Sequence, residues 1–329
     1  MWTPRLVMTG LLLILLLPAP AVAQWYRFSG TAMTTPIDLE FWSEAEAGQA
    51  EDLWLRVLAE FTGVDEGMSR YREDSELSRV NRTAAEGAVK ITAPLFRVLA
   101  AAESISEASD GAFDISFASV GHLYDYRNNQ QPSDEEVQAL LPRISYRDIW
   151  LDPEASSVAF ARPGLMLDLG GIAKGYAVDR GIAVLQAAEI GHARLSAGGD
   201  MRLLGDRRGR PWMVGVRDPR QEGRLVVALP LESAAISTSG DYERYFIADD
   251  GARIHHILSP QTGRPAGGVQ SVTVIGVDAM ITDALSTAVF VLGAEQGLAL
   301  INRLEGIDAV IIDEHRKLFY SEDLMAGVE

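Results

Sequence analysis

The chain has 329 residues, with 29 Lys and Arg against 46 Asp and Glu, a formal charge of −17, and no cysteine. Nucleic-acid contacts need clustered cations, so the acidic balance argues against nucleic acid as a partner. The missing thiols exclude disulfides, thiolate metal sites, cysteine nucleophiles and a lipid anchor attached through cysteine.

Met1–Ala23 reads as a cleavable secretory signal peptide. It opens with one charge at Arg5, runs through the aliphatic stretch Leu6–Leu17, and ends on Pro18, Pro20 and Ala21-Val22-Ala23, an A-x-A-like cleavage signal. The stretch is too short to span a bilayer, which takes about twenty apolar residues. Cleavage near Ala23–Gln24 predicts one exported domain over residues 24–329, soluble and periplasmic. No later stretch is expected to have the length and apolarity of a transmembrane helix.

In the exported chain, Thr31–Trp42 places Ile37, Leu39 and Phe41 on one alternating face, predicting a half-buried strand. Leu53, Val57, Leu58 and Phe61 recur at helical spacing, and Met68–Arg82 reads as a polar loop ending in a short helix. Pro94–Glu107 predicts a helix with Pro94 in its first turn. Ser133, three residues before Glu136, predicts a capped helix over Ser133–Leu141. Strands are expected near 148–151, 157–161 and 165–169, then a helix at about 172–188. Further strands near 192–204, 212–217, 224–230, 234–238, 243–248, 253–257 and 271–277 precede a helix at about 282–303. Two strands near 308–312 and 316–320 close the chain. Short turns such as Asp249-Asp250-Gly251 point to an α+β fold, largely antiparallel sheets with packed helices in a single compact domain, with an inserted loop around 123–147.

Several segments are candidates for chemistry. Leu167–Gly175 reads as an apolar strand, a Gly170-Gly171 turn and a helix start. Backbone N–H groups and the helix dipole there favour an anion, and Lys174 adds a point charge for a phosphate; a tight turn with a solvated lysine fits equally. The order Lys174-Gly175-Tyr176 excludes a P-loop, which needs Gly-Lys followed by Ser or Thr. Ser196-Ala197-Gly198-Gly199-Asp200 admits either a close ligand or a bulge, and Ser237–Tyr242 reads as a hydroxyl-rich turn. His255 and His256 are adjacent, so on a strand they face opposite sides and cannot chelate one metal together. Asp283 and Thr287 sit at i and i+4 in the first turns of a helix, where two oxygens suit Mg²⁺ or else simply complement the helix N-terminus after Thr282. The chain contains no G-x-S-x-G or H-E-x-x-H and no G-x-G-x-x-G after a strand.

Taken in order, Met68-Ser69-Arg70-Tyr71, Asp74–Asn81, Gly111-Ala112-Phe113-Asp114, Asp168–Asp179, Ser196–Asp200, Thr238–Tyr242, His255-His256-Ile257 and Asp283–Thr287 resemble the FAD:protein FMN transferase (ApbE) family through most of the exported chain. The resemblance implies an α+β fold holding FAD in an elongated cleft, with Mg²⁺ at its pyrophosphate. It implies transfer of FMN from FAD to a threonine or serine hydroxyl of an exported acceptor protein of a redox complex, releasing AMP. It further implies that Met33, Ser69, Tyr71 and Asp114 bind FAD together with Asp168, Lys174, Gly199 and His256, and that His256 is catalytic. The implied metal ligands are Gly171, through its carbonyl, Asp283 and Thr287. A Mg²⁺-dependent FAD pyrophosphatase giving FMN and AMP would use the same residues; a non-catalytic periplasmic FAD-binding protein is the other alternative, against which the retained His256, Asp283 and Thr287 count. The chain departs from the family pattern at Met33-Thr34-Thr35, where members read Met-Gly-Thr, and at Ser259-Pro260-Gln261-Thr262-Gly263, where members read Asp-Pro-Arg-Thr-Gly. Tyr124-Asp125-Tyr126 replaces a tryptophan-centred segment with another aromatic face.

Overall fold

A computed structural model describes residues 23–326, so all of the expected signal peptide except Ala23 lies outside the described residues. The chain begins with β1 (Gln24–Ala32) and β2 (Thr35–Ser43), paired residue for residue as a hairpin. A single strand over Thr31–Trp42 was expected. The hairpin arises because Met33 and Thr34 both take positive φ, 50° and 59°, the backbone of a type I′ turn. Neither residue is a glycine or asparagine, so the sequence carried no turn signal there. A β-branched residue in this region is strained by roughly 1–2 kcal/mol. Thr34→Gly removes that strain at an entropic cost of about 0.5–1 kcal/mol. The variant is expected to melt ~2 °C higher by calorimetry. A lower melting temperature would mean that the Thr34 hydroxyl, 3.5 Å from Arg244 Nη2, stabilises the turn by more than the strain.

The elements that follow are α1 (Ala47–Met68), α2 (Glu76–Thr83), β3 (Val89–Lys90), α3 (Ala93–Ala108), α4 (Ala118–Gly121), α5 (Asp134–Leu140), β4 (Ile149–Asp152) and β5 (Ser157–Phe160). Then come α6 (Ala173–Ala187), β6 (Ala193–Ala197), β7 (Asp200–Leu204), β8 (Trp212–Arg217), β9 (Leu225–Leu231), β10 (Ala235–Gly240), β11 (Tyr245–Ile247) and β12 (Arg253–His255). The chain closes with β13 (Val269–Gly276), α7 (Ala279–Ile301), β14 (Asp308–Asp313), β15 (Leu318–Tyr320) and α8 (Glu322–Ala326). The capped helix at Ser133 is present as α5, with Ser133 Oγ and Glu136 forming a reciprocal capping box.

Eight strands form one antiparallel sheet in the order β1-β2-β6-β7-β10-β13-β14-β15. Helices α1, α3, α6 and α7 pack against one another, with α6 and α7 laid on one sheet face, where Val272, Val274, Ala309 and Ile311 enter the main core. The opposite face sends Ile236, Ile275, Val310 and Ile312 into a second cluster with Trp212 and Leu229 from the β8–β9 hairpin. With both faces covered, β13 is buried at every residue, its polar Gln270, Ser271 and Thr273 included. The segment around 123–147 packs Tyr124 and Val137 against Phe246, Ile254 and Leu258 in a third cluster. The fold is α+β, a single domain of antiparallel sheets with packed helices.

Three further expectations need correction. Residues 165–169 alternate like a strand, and Leu165, Leu167 and Leu169 are buried, yet they join no ladder. Their backbone is held by side chains and loops instead: Asn81 exchanges bonds with the Leu167 N–H and C=O at 2.8 and 3.0 Å, and the Asp168 N–H donates to the Ile115 carbonyl. The expected strand over 192–204 is two strands, β6 and β7, folded about Gly198-Gly199, with Gly198 at φ 63°. Lastly, α7 does have the length and apolarity to cross a membrane, with 23 residues and an 18-residue window of mean hydropathy 1.6. It serves as a core helix, half of that window being buried, and its backbone breaks at Gly293.

Candidate active site

The strongest sequence signal folds around two helix N-termini that meet. Asn81 and Ile115 pin residues 167–168 so that the chain turns at Gly170-Gly171 and enters α6. Asp168 braces this turn: its Oδ1 accepts the Gly170 N–H at 2.7 Å and its Oδ2 accepts Arg70 Nε at 2.5 Å. Arg70 also stacks over the ring of Tyr71 and donates to its hydroxyl at 2.8 Å. Through Asp168, the Ser69–Tyr71 loop is therefore tied to the Gly-Gly turn, and Tyr71, 73% exposed, stands free at the rim.

At the second residue of α6, Lys174 Nζ donates to Asp200 Oδ2 at 2.5 Å and lies 3.3 Å from both oxygens of Asp283. Asp283 is also the acceptor of the Gly175 N–H at 3.1 Å. That bond depends on a close helix crossing, since a Cβ at Gly175 would fall 2.1 Å from the Ala279 carbonyl oxygen. Burial pushes the Lys174 amine down, but the Asp200 and Asp283 carboxylates outweigh it and hold the ammonium well above its usual range. Burial, reinforced by Asp200, raises the Asp283 carboxyl, opposed by Lys174 and the Gly175 N–H. This is a buried anion–cation–anion line at the start of α6.

The hydroxyls of β10 form the other wall. The expected hydroxyl-rich turn is mostly strand, because β10 runs on to Gly240, and its side chains zip onto α7. Ser239 Oγ lies 2.8 Å from Ser286 Oγ and 3.3 Å from Thr287 Oγ1, and Ser237 pairs with Thr282 at 2.9 Å. Gly171 sits directly against Thr287, since a Cβ there would lie 3.3 Å from Thr287 Oγ1. Among the described residues no cluster of three or more His, Cys, Asp or Glu side chains exists. A cation beside Asp283 would therefore complete its shell from hydroxyls, backbone carbonyls, water and ligand oxygens. A carboxylate, a hydroxyl and a carbonyl are hard oxygen donors, and they fit Mg²⁺, which keeps waters and takes substrate phosphates.

The two histidines separate cleanly. His255 is buried, edge-on to Phe290, with Nε2 at 2.9 Å from the Ala266 carbonyl, and is structural. His256 keeps part of its ring accessible, with Nδ1 3.3 Å from the Arg244 carbonyl, which also accepts the His256 N–H. Crowding by protein, with the charges of Arg244, His255 and Lys174 adding to it, pushes the His256 imidazole down to about 4. Beside it, Tyr126 donates to the His255 carbonyl at 3.3 Å and stacks on Tyr124, an aromatic face at the position of the tryptophan-centred segment.

The remaining candidates divide. Gly199 lies in the β6–β7 turn, pressed against Thr238, and its neighbour Gly198 faces Thr35 beside the Met33–Thr34 turn. Met33 packs its side chain on the core from that turn. Asp114 is different: its Oδ1 accepts the Ser116 N–H and hydroxyl and its Oδ2 accepts the Tyr146 N–H, so the carboxylate is spent inside the protein. It braces the loop that places Phe113 against Gly171. The altered Ser259–Gly263 turn is closed by its own backbone, and Arg264 pairs with Asp134 beside it. Asp200, Ser239, Ser286 and Arg70 stood inside the quoted segments without a role assigned to them, and Arg244 was not singled out; Asp200 meets Lys174 across 26 residues, Ser239 meets Thr287 across 48 and Arg70 meets Asp168 across 98. A cleft of 170 Å³ opens beside Gly198, Gly199 and Thr238, whereas the larger cleft of 620 Å³ lies between α1, α2 and α3 and holds none of the candidates.

Known proteins resemble this chain in sequence and in fold. The profile of the ApbE family matches residues 33–311. A FAD:protein FMN transferase of Klebsiella pneumoniae (strain 342) is 31% identical over 300 residues, covering 90% of this chain and 92% of the relative. The crystal structure of the ApbE protein from Thermotoga maritima superposes with a TM-score of 0.84 at 34% identity, covering 92% of this chain and 99% of that one. The flavin transferase ApbE from Vibrio cholerae gives 0.83 at 29% identity, covering 93% and 99%.

Proposed function

The chain belongs to the ApbE family, and from that membership we propose that it is a FAD:protein FMN transferase, moving FMN from FAD onto a threonine or serine hydroxyl of an exported acceptor protein and releasing AMP. We place it in the periplasm, soluble, after removal of Met1–Ala23. The observation that carries the reading is the Asp200–Lys174–Asp283 line beside Thr287 and the Gly170-Gly171 turn, at a helix N-terminus built to meet an anion.

The Gly171 carbonyl, the Asp283 carboxylate and the Thr287 hydroxyl are the groups that would hold Mg²⁺. When bound, the ion supplies charge neutralisation at the FAD pyrophosphate. Lys174, fixed by Asp200, sets a cation at the same place, and the N-terminal amides of α6 add their dipole. His256, neutral at physiological pH, accepts the proton of the acceptor hydroxyl as that oxygen bonds to the FMN phosphorus. The bond from this phosphorus to the AMP oxygen breaks, and AMP leaves with the electron pair.

Mixing residues 24–329 with FAD, Mg²⁺ and a threonine-bearing acceptor domain tests the reading. Fluorescent acceptor in the gel together with AMP is the expected result. AMP with free FMN would make the protein a pyrophosphatase, and neither product would make it an FAD-binding protein. Because the His256 imidazole is depressed from 6.5 to about 4, its neutral form persists as pH falls through 6. The acid limb of kcat/KM is therefore expected below pH 5, and a limb centred near 6.5 would remove His256 as the base.

A further inference from the structure

The large sheet starts at β1, whose outer edge pairs with no strand among the described residues. The hairpin register fixes which groups lie along that edge. Ala32 and Thr35 flank a two-residue turn and form a hydrogen-bonded pair, and bonded and non-bonded pairs alternate from there. Gln24, Tyr26, Phe28, Gly30 and Ala32 thus bond inward to β2. Trp25, Arg27, Ser29 and Thr31 direct their N–H and C=O groups outward. Pro36, opposite Thr31, fits this phase: it has no N–H to give β1, and its carbonyl accepts the Gly198 N–H from the far side at 3.1 Å. Among the described residues no turn, loop or cap bonds to the backbone of those four.

Four outward residues span about 20 Å of open ladder. Folded proteins guard such edges with proline, bulges or outward-reaching lysines. β1 has none of these over nine consecutive pairs. Two of its polar side chains are turned onto β2, Arg27 to Glu40 at 3.2 Å and Ser29 to Asp38 at 2.6 Å. The edge also leads to the candidate base. β1 ends at the Met33–Thr34 turn, the Thr34 hydroxyl lies 3.5 Å from Arg244 Nη2, and the Arg244 carbonyl accepts the His256 N–H at 3.1 Å.

We propose that the free edge of β1 is the docking site of the acceptor protein, which adds an extended segment to the sheet and thereby brings its hydroxyl residue to His256. Backbone bonds along Trp25–Thr31 supply the affinity, so the edge accepts any extended segment whose side chains clear Arg27 and Trp25. This rests on the flavin-transfer reading, and it makes acceptor choice a matter of an exposed, extendable segment rather than of a deep side-chain pocket. A second β1 would satisfy the same backbone groups, but it would cover the end of the edge beside His256 instead of using it.

The probe is the threonine-bearing acceptor domain used to test flavin transfer. Ser29→Pro and Thr31→Pro each delete one outward N–H and leave the inward ladder whole. Both are expected to bind FAD as the parent does, by flavin fluorescence titration, while KM for the acceptor rises at least ten-fold and kcat stays within two-fold. In the unaltered protein, the amides of Trp25, Arg27, Ser29 and Thr31 exchange rapidly with deuterium and are expected to gain protection when the acceptor is added. Unchanged KM in the proline variants, or no protection on adding acceptor, overturns the proposal. Protection that depends on protein concentration without acceptor, with a dimer in sedimentation, overturns it in favour of a second copy. An unaltered protein that transfers no flavin but still shows acceptor-dependent protection would sink the transfer chemistry and leave the docking surface standing.

Discussion

Gly175→Ala is expected to abolish flavin transfer and to lower the melting temperature by at least ~5 °C. The added Cβ would lie 2.1 Å from the Ala279 carbonyl oxygen, 2.6 Å from its carbon and 2.9 Å from Asp283 Cβ. The first two are backbone atoms of α7, so no rotamer relieves the clash. The crossing of α6 and α7 must widen by about an ångström, and overpacking of this kind costs roughly 1–3 kcal/mol or more. Widening also breaks the Gly175 N–H bond to Asp283 and pulls Lys174 away from the same carboxylate. Scanning calorimetry and in-gel flavin fluorescence measure the two effects. Gly63, within α1, has nothing within 4 Å of a built Cβ, so Gly63→Ala serves as the control and should be neutral or slightly stabilising. A Gly175→Ala protein as stable and active as the parent would show that the helices do not approach as described.

Asp283→Ala is expected to reduce transfer by 10²-fold or more and to abolish its dependence on Mg²⁺, with the fold retained. Losing one well-placed electrostatic group typically costs about 10²–10³ in rate. Stability should suffer less than for most buried charges, because Lys174 keeps its shorter bond to Asp200 and is not left unpaired. Flavin transfer followed against Mg²⁺ concentration, with a chelator as the zero point, distinguishes the outcomes. Undiminished flavinylation by the variant, with the parent's Mg²⁺ dependence, would remove Asp283 from the metal site.

The sequence foretold elements better than it foretold their neighbours. Helices α3, α6 and α7 followed from apolar spacing, and α5 from the Ser133–Glu136 pair, because those signals are local. The β1–β2 hairpin was hidden because Met33 and Thr34 adopt positive φ without being glycine or asparagine. Residues 165–169 imitated a strand because burial imposes the same alternation whether the backbone partner is another strand or the Asn81 side chain. For the site, the segments around Lys174 and Asp283 stood out from residue type and spacing. What joins them did not: Lys174 is 26 residues from Asp200 and 109 from Asp283, separations that no periodicity encodes. Nor did the motif carboxylate of Asp114 show in the sequence that it accepts from Ser116 and from Tyr146, 32 residues away.

The break in α7 has a bearing on how such a chain would be sorted. A run of 23 residues with a window of mean hydropathy 1.6 resembles a stop-transfer signal, a hazard for any chain threaded through a secretion channel. Its two charges, Asp283 and Glu295, each oppose partitioning by about 2.5–3.5 kcal/mol near a bilayer centre. The Gly293 backbone, at φ 78°, leaves a straight first segment of only about 14 residues, ~21 Å long against a hydrocarbon core of ~30 Å. The Gly293 break and the two charges thus oppose insertion of a helix whose length and apolarity would otherwise suffice to cross a bilayer.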